Sequence, residues 1–204
     1  MERRDRILIV CEGHATEPDY FRSLRHELRA GPIVIRINDE SGVPKTVVEH
    51  AVELKKEAER DAKRSGDSNL RYDEVWCVFD VDTHPNLPAA LQQAVANGIQ
   101  VALSNPCFEL WILLHFENHR ADIDSRAAGH ACRKYLPKYE KHITFAELKD
   151  QYPTAVDRAR ALEAWQVSRG NARGNPSTNV HTLTERLHAL GRRAFLASLD
   201  RGRR

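Results

Sequence analysis

The chain has 204 residues, 41% of them hydrophobic and 29% charged, enough to bury a sizeable core as one domain or as one domain with an appendage. Its net charge of +2 and pI near 8.4 are too mild to mark a nucleic-acid binder by charge alone. The four cysteines are scattered without a CxxC pair, which argues against a zinc site or disulfide framework and for a reducing compartment. No apolar run approaches the roughly 20 residues of a membrane span. Ile7–Cys11 is too short for a signal-peptide core, so a cytoplasmic protein is expected.

In chain order, Ile7–Cys11 (ILIVC) predicts a central strand ending at Glu12-Gly13. A helix follows, with Thr16 as its cap, Pro18 in its first turn and Glu17 and Asp19 favoured there by the dipole. Glu17, within a turn of the first loop, either reaches toward that loop or only favours the helix start. Phe21, Leu24 and Leu28 give this helix one apolar stripe. Ile33–Ile37 is a second strand, and Lys45–Ser65 a charged helix ended by Gly66–Asn69. In RYDEVWCVFDVDTH (71–84), Val75–Phe79 is a strand buried on both faces that delivers Asp80 and Asp82 at its carboxyl end.

Pro85–Asn97 is a helix closed by Gly98, and Ile99–Leu103 a fourth strand ending in Ser104-Asn105-Pro106. Cys107–Glu117 is an apolar helix with Trp111, Leu113, Leu114 and Phe116 in the core. Strands alternating with helices over short connections predict a parallel sheet flanked by helices. Beyond residue 118, Ser125–Tyr135, Thr144–Lys149, Thr154–Ser168 and Thr178–Ala197 are predicted helices with no strand between them, and Gly170–Pro176 (GNARGNP) is the clearest loop. The expected organisation is an α/β domain over 1–118 and a C-terminal helical extension over 119–204 packed on it. The basic ends, Arg3, Arg4 and Arg6 and then Arg201–Arg204, either meet phosphates or are solvated termini.

Asp80 and Asp82, one residue apart where a strand becomes a loop, can lean toward one divalent cation, and such hard oxygen ligands suit Mg²⁺ or Mn²⁺. The plain alternative is a polar turn after a core strand. Glu12 occupies the same place after the first strand. If both strands are central, Glu12, Asp80 and Asp82 converge on one sheet edge, where they repel one another unless a cation neutralises them.

A glutamate ending one strand and a DxD ending a later one resembles the acidic signature of the Toprim fold. The blocks CEGHATEPDYF (11–21), VFDVDTH (78–84), SNPCFELWILLHF (104–116), YEK (139–141) and NPSTNV (175–180) sharpen this. In that order they resemble the RloB family of Toprim-related proteins over almost the whole chain. The resemblance implies a Toprim-like parallel sheet and a Mg²⁺- or Mn²⁺-dependent nuclease acting on DNA or RNA. It also implies a role in phage defence, with an ATPase partner.

Residue by residue, Glu12, Asp80 and Asp82 match the acidic metal ligands, with Glu12 alternatively a general acid or base. Glu109, in the FELW block, completes the metal shell, approaches a second ion or is simply a helix-N-terminal acid. His84 bonds a phosphate, carries a proton or is a loop histidine. Lys141 is the candidate for stabilising a pentavalent phosphate. Ser104 and Asn105 are placed to orient water or phosphate, and Asn175 and Thr178 to make a loop and a helix cap.

Two rivals remain. VFDVDT also resembles the haloacid-dehalogenase phosphatase signature, but His84 stands where that pattern calls for Thr or Val, and two strands precede it. The other is a non-cleaving Toprim-like module that binds nucleic acid or the ATPase partner. The length leaves no room for the accessory domains of a topoisomerase or primase. Substrate polymer, metal count and oligomeric state are open at this stage.

Overall fold

Ile7–Cys11 (β1) has no solvent exposure at any position, the burial of a strand covered on both faces. The computed structural model describes residues 5–29, 33–38, 43–81 and 87–202, with side chains as far as Arg193. β1 lies between Ile33–Ile37 (β2) and Glu74–Asp80 (β3), followed by Gln100–Asn105 (β4) and the two-residue Ser177–Thr178 (β5). The order is β2-β1-β3-β4-β5, with the first four strands parallel and β5 antiparallel to β4. The register sets Cys11 opposite Val78 and Asp80 opposite Ser104. This is an α/β sheet flanked by helices, consistent with a Toprim-like fold.

The period-two alternation of the strands divides the core in two. Leu8, Val10, Cys77 and Phe79 pack with Val47, Val48 and Ala51 of Pro44–Ser65 (α2) and with Ala90 and Ala94 of Leu87–Ala96 (α3). On the opposite face, Ile7, Ile9, Trp76 and Val78 pack with Phe21 and Leu24 of Thr16–Glu27 (α1) and with Trp111 and Leu113 of Glu109–Leu114 (α4). Cys132 of Ser125–Tyr135 (α5), Leu162 of Tyr152–Ser168 (α6) and Leu183 of Val180–Gly202 (α7) join that same cluster. The residues after 118 therefore cover the sheet rather than standing off as a subdomain. All four cysteines are free and buried. Among the described residues no helix is long and apolar enough to cross a membrane.

Three local expectations are corrected. A strand does occur in the C-terminal part: β5 pairs Thr178 with Ser104 and Ser177 with Asn105. Asn179 then extends that edge through its side chain, Oδ1 accepting from the Leu103 N–H at 2.6 Å and Nδ2 donating to the Val101 carbonyl at 3.0 Å. A two-residue strand carries no period to read. The expected helix over Thr144–Lys149 is instead a pair of 3₁₀ turns, Phe145–Glu147 and Lys149–Gln151, the first opened by a Thr144–Glu147 capping box. The helix within Cys107–Glu117 is confined to Glu109–Leu114, with turns on either side. Gly66 (φ 73°) and Gly98 (φ 61°) supply the left-handed residues that end α2 and follow α3.

His115 sits in the larger core cluster's wall, 1% exposed, with Nδ1–H donating to the Trp111 carbonyl at 2.9 Å and Nε2 buried without a partner. Burial pushes its pKa down to about 4, against the two backbone carbonyls that favour the cation. The folded chain therefore refuses a proton that the unfolded chain accepts below about pH 6.5, and stability is lost as pH falls through that window. His115→Leu should abolish this part of the loss. Relative to wild type, the variant should gain about 2–3 kcal/mol between pH 7 and pH 4.5 in denaturant titrations. A constant difference across that range would contradict the assignment.

Candidate functional site

Because β1 and β3 are parallel neighbours, the residues that leave them emerge side by side. The Glu12 N–H donates to the Val78 carbonyl at 2.9 Å, continuing the ladder by one step. Its carboxylate Oε2 accepts from the Asp80 N–H at 3.0 Å, joining positions 68 apart. Both side chains are half-buried at the carboxyl end of the sheet, where open α/β sheets present their ligands.

α1 brings a further carboxylate to this edge. Glu17 is buried, and a Cβ on Gly13 would overlap its carboxylate, so the glycine is the cradle that admits it. From the other side α4 opens with Glu109, 2% exposed, whose Oε1 accepts from the Tyr139 hydroxyl and from Lys141 Nζ, each at 2.8 Å. Lys141 stands at φ 67°, a left-handed conformation unusual for a residue with a Cβ. Thr16 secures it: its hydroxyl donates to the Lys141 carbonyl at 2.9 Å and lies 3.3 Å from the Tyr139 hydroxyl. Thr16 is thus not the helix cap it was expected to be. The N-cap is Ala15, without a side-chain bond, because the hydroxyl is spent on the YEK segment.

Electrostatics tie the group together. Asp80 is pushed well above the ordinary carboxylate range, first by burial and then by Glu17, Glu109 and Glu12, with Lys141 opposing. Glu17 rises to about 7, first from burial, then from Glu109 and Glu12 against its own amide and Lys141. Burial pushes Glu109 up as well, but the Lys141 and Tyr139 bonds outweigh it and hold its pKa below the usual value. Lys141 is the counterpart: burial opposes its charge, and Glu109 more than restores it. Cys107, buried beside Glu109 and Asp80, is pushed up by desolvation and by both carboxylates, so it is a thiol and not a nucleophile.

Glu17, Asp80 and Glu109 thus share one ammonium, with Glu12 beside Asp80 and Glu17. The donors are all hard oxygens, which in kind fit Mg²⁺ or Mn²⁺ and not zinc. Among the described residues no three His, Cys, Asp or Glu side chains close into a metal cage.

Of the residues expected here, Glu12, Asp80, Glu109 and Lys141 are brought to one place. Asp82 and His84 lie outside the described residues. Ser104 and Asn105 end β4 beside Asp80, but their side chains have structural partners. The Ser104 hydroxyl, 1% exposed, bonds Thr178 Oγ1 at 2.9 Å, and the Asn105 amide donates to the Arg173 carbonyl at 2.8 Å. Tyr139 and Gly13 received no role from sequence reasoning, although YEK and the glycine next to Glu12 were the available signals. Of the basic ends, Arg6 stacks on Tyr72 at 4.3 Å and donates to the Leu70 carbonyl, so it is not a free phosphate ligand.

The raised Glu17 carboxyl carries a stability signature. The folded chain keeps a proton that the unfolded chain releases above about pH 4.3, so stability falls as pH rises toward and through 7. Glu17→Gln keeps the shape and cannot ionise. In chelator it should exceed wild type by about 1–3 kcal/mol at pH 8, with the gain vanishing near pH 4.5. Chemical denaturation at the two pH values checks this, and a gain independent of pH would refute it.

No curated protein and no solved structure matches this chain. A family model described as RloB-like protein matches residues 7–187, from the first residue of β1 to Leu187 in α7. The match takes in the sheet, Glu12, Asp80, Glu109 and the YEK segment together, and the chain belongs to the RloB-like protein family.

Proposed function

We propose that this RloB-like chain is a divalent-cation-dependent nuclease that hydrolyses phosphodiester bonds in DNA or RNA, in bacterial defence and with an ATPase partner. The observation that supports this most is that Asp80 and Glu17, at the carboxyl ends of β1 and β3, each lie within electrostatic reach of Glu12, Glu109 and Lys141. Glu12 and Asp80, with Asp82 just beyond β3, would hold Mg²⁺ or Mn²⁺. The bound ion supplies Lewis-acid polarisation of a phosphoryl oxygen and neutralises the carboxylates.

The remaining chemistry falls to the chain's own groups. Glu17, buried at this edge within electrostatic reach of Glu12 and Glu109, is the carboxylate left to take a proton from the attacking water. As the water oxygen bonds phosphorus and the ester oxygen leaves, the charge gathering on the phosphoryl oxygens faces the Lys141 ammonium. Glu109 and Tyr139 are positioning residues: Glu109 holds Nζ, and Tyr139 holds Glu109.

One observation favours a second reading. Without a closed cage among the described residues, and with Glu109 already neutralised by Lys141, the same arrangement suits a module that binds nucleic acid or the ATPase partner without cutting.

Cleavage of single- and double-stranded DNA and RNA with Mn²⁺ or Mg²⁺ separates the two. Asp80→Ala and Glu12→Ala should each abolish metal-dependent cutting. Lys141→Gly, chosen because φ 67° suits glycine and spares the backbone, should lower it about 10²–10³-fold. Cutting that survives in both carboxylate variants would sink the proposal. Metal binding without any cutting would favour the second reading.

A further inference from the structure

The loop between α6 and β5 is fixed by its backbone, while among the described residues its arginine side chains enter no ion pair. Gln166, buried, donates from Nε2 to the Pro176 carbonyl at 2.7 Å, and its own carbonyl accepts the Asn171 N–H at 3.0 Å. The Gly174 N–H donates to the Asn171 carbonyl at 2.8 Å, and the Asn171 amide fills the space a Cβ on Gly174 would need. Asn175 clasps the segment before α5, donating to the Ile123 carbonyl at 2.7 Å and accepting its N–H at 3.1 Å. Asn105 holds the Arg173 carbonyl against the end of β4. None of these bonds uses an arginine side chain.

Arg120, Arg169 and Arg173 are all exposed. The Arg120 and Arg169 guanidinium groups lie over the Trp165 ring, 5.7 and 4.8 Å from its centroid. Among the described residues no ion pair joins any of the three to a carboxylate, whereas Arg160 pairs with Glu185, and Arg186 with Asp5 and Glu74. Of the acids near Arg120 in sequence, Asp124 caps α5 and Glu117 is bonded by Tyr135.

Their place matters as much as their charge. Asp80 faces Ser104 across one strand spacing, Asn105 follows, and Arg173 sits on Asn105. The Arg173 backbone is therefore held at the end of β4, next to the strand that carries Asp80, and Asn175 of the same loop ties it to Ile123, three residues from Arg120. A polyanion nearing four carboxylates and one ammonium is repelled unless cations beside them hold it.

We propose that Arg120 and Arg169, floored by Trp165, and Arg173 beside them in the loop form a ledge that binds the phosphodiester backbone of the nucleic-acid strand presented to the carboxylate site. This rests on the nuclease reading for its orientation. Guanidinium groups match phosphate oxygens in pairs, and the tryptophan under Arg120 and Arg169 orients their planes.

The test is equilibrium binding of the full chain to labelled single strands and duplexes of DNA and RNA, in chelator so that nothing is cut. Replacing the three arginines by alanine should weaken binding about tenfold or more, and should lower the slope of log K against log salt by about 2 for single strands. Arg173→Glu alone, at a side chain that enters no ion pair among the described residues, should act in the same direction. The triple lysine variant should keep the salt slope, and Asp80→Ala should bind as tightly as wild type or more tightly.

Wild-type affinity in the triple alanine variant, or no nucleic-acid binding by wild type, would overturn the ledge. Arginine-dependent binding without cleavage in Mn²⁺ leaves the ledge standing and counts against the nuclease reading. Cleavage with binding indifferent to the arginines does the reverse.

Discussion

The structure depends on the parallel pairing of β1 with β3, in register Cys11 to Val78 and buried on both faces. A strand so buried has no water for its peptide groups, so it must pair along its length. Whatever follows the last paired residues then emerges side by side. The Glu12 carboxylate on the Asp80 N–H is the direct product of that register. Once the two central strands are fixed, the backbones that carry Glu12 and Asp80 cannot separate without breaking the sheet.

The rest of the site meets the electrostatic cost of this crowding only in part. Lys141 offsets Glu109 and reaches Asp80, and it does so from a left-handed backbone position worth roughly 1–2 kcal/mol of strain in a residue with a Cβ. That conformation is held by Thr16 and by the fixed Tyr139–Glu109 pair. What remains unneutralised is visible as the upward shifts of Asp80 and Glu17. Stored repulsion of this kind is common where a charged ligand is to be received.

The four parallel strands were legible because continuous apolar runs bounded by Gly, Pro and acidic turns have few other readings. The meeting of Glu12 and Asp80 followed from placing both strands in the centre. Less of the remaining site could be read, for identifiable reasons. Thr16 has the local signature of a helix cap, and only the tertiary position of the YEK segment diverts its hydroxyl. Glu17 looks like any acid in a first helical turn, and its burial depends on the missing side chain of Gly13. The Glu109–Lys141 pair joins segments whose approach no periodicity encodes, and β5 is too short to show a pattern.

Under the proposed function, uptake of a divalent cation by the crowded carboxylates is the step on which activity turns. It is tested most directly by titrating Mn²⁺ into the metal-free chain at pH 7, calorimetrically, in two buffers of different ionisation enthalpy. Binding should release about one proton per ion, because carboxyls held protonated by crowding must ionise to ligate. That release should disappear with the binding itself in Asp80→Ala. No binding, or binding with no proton release that is unchanged in Asp80→Ala, would contradict the account.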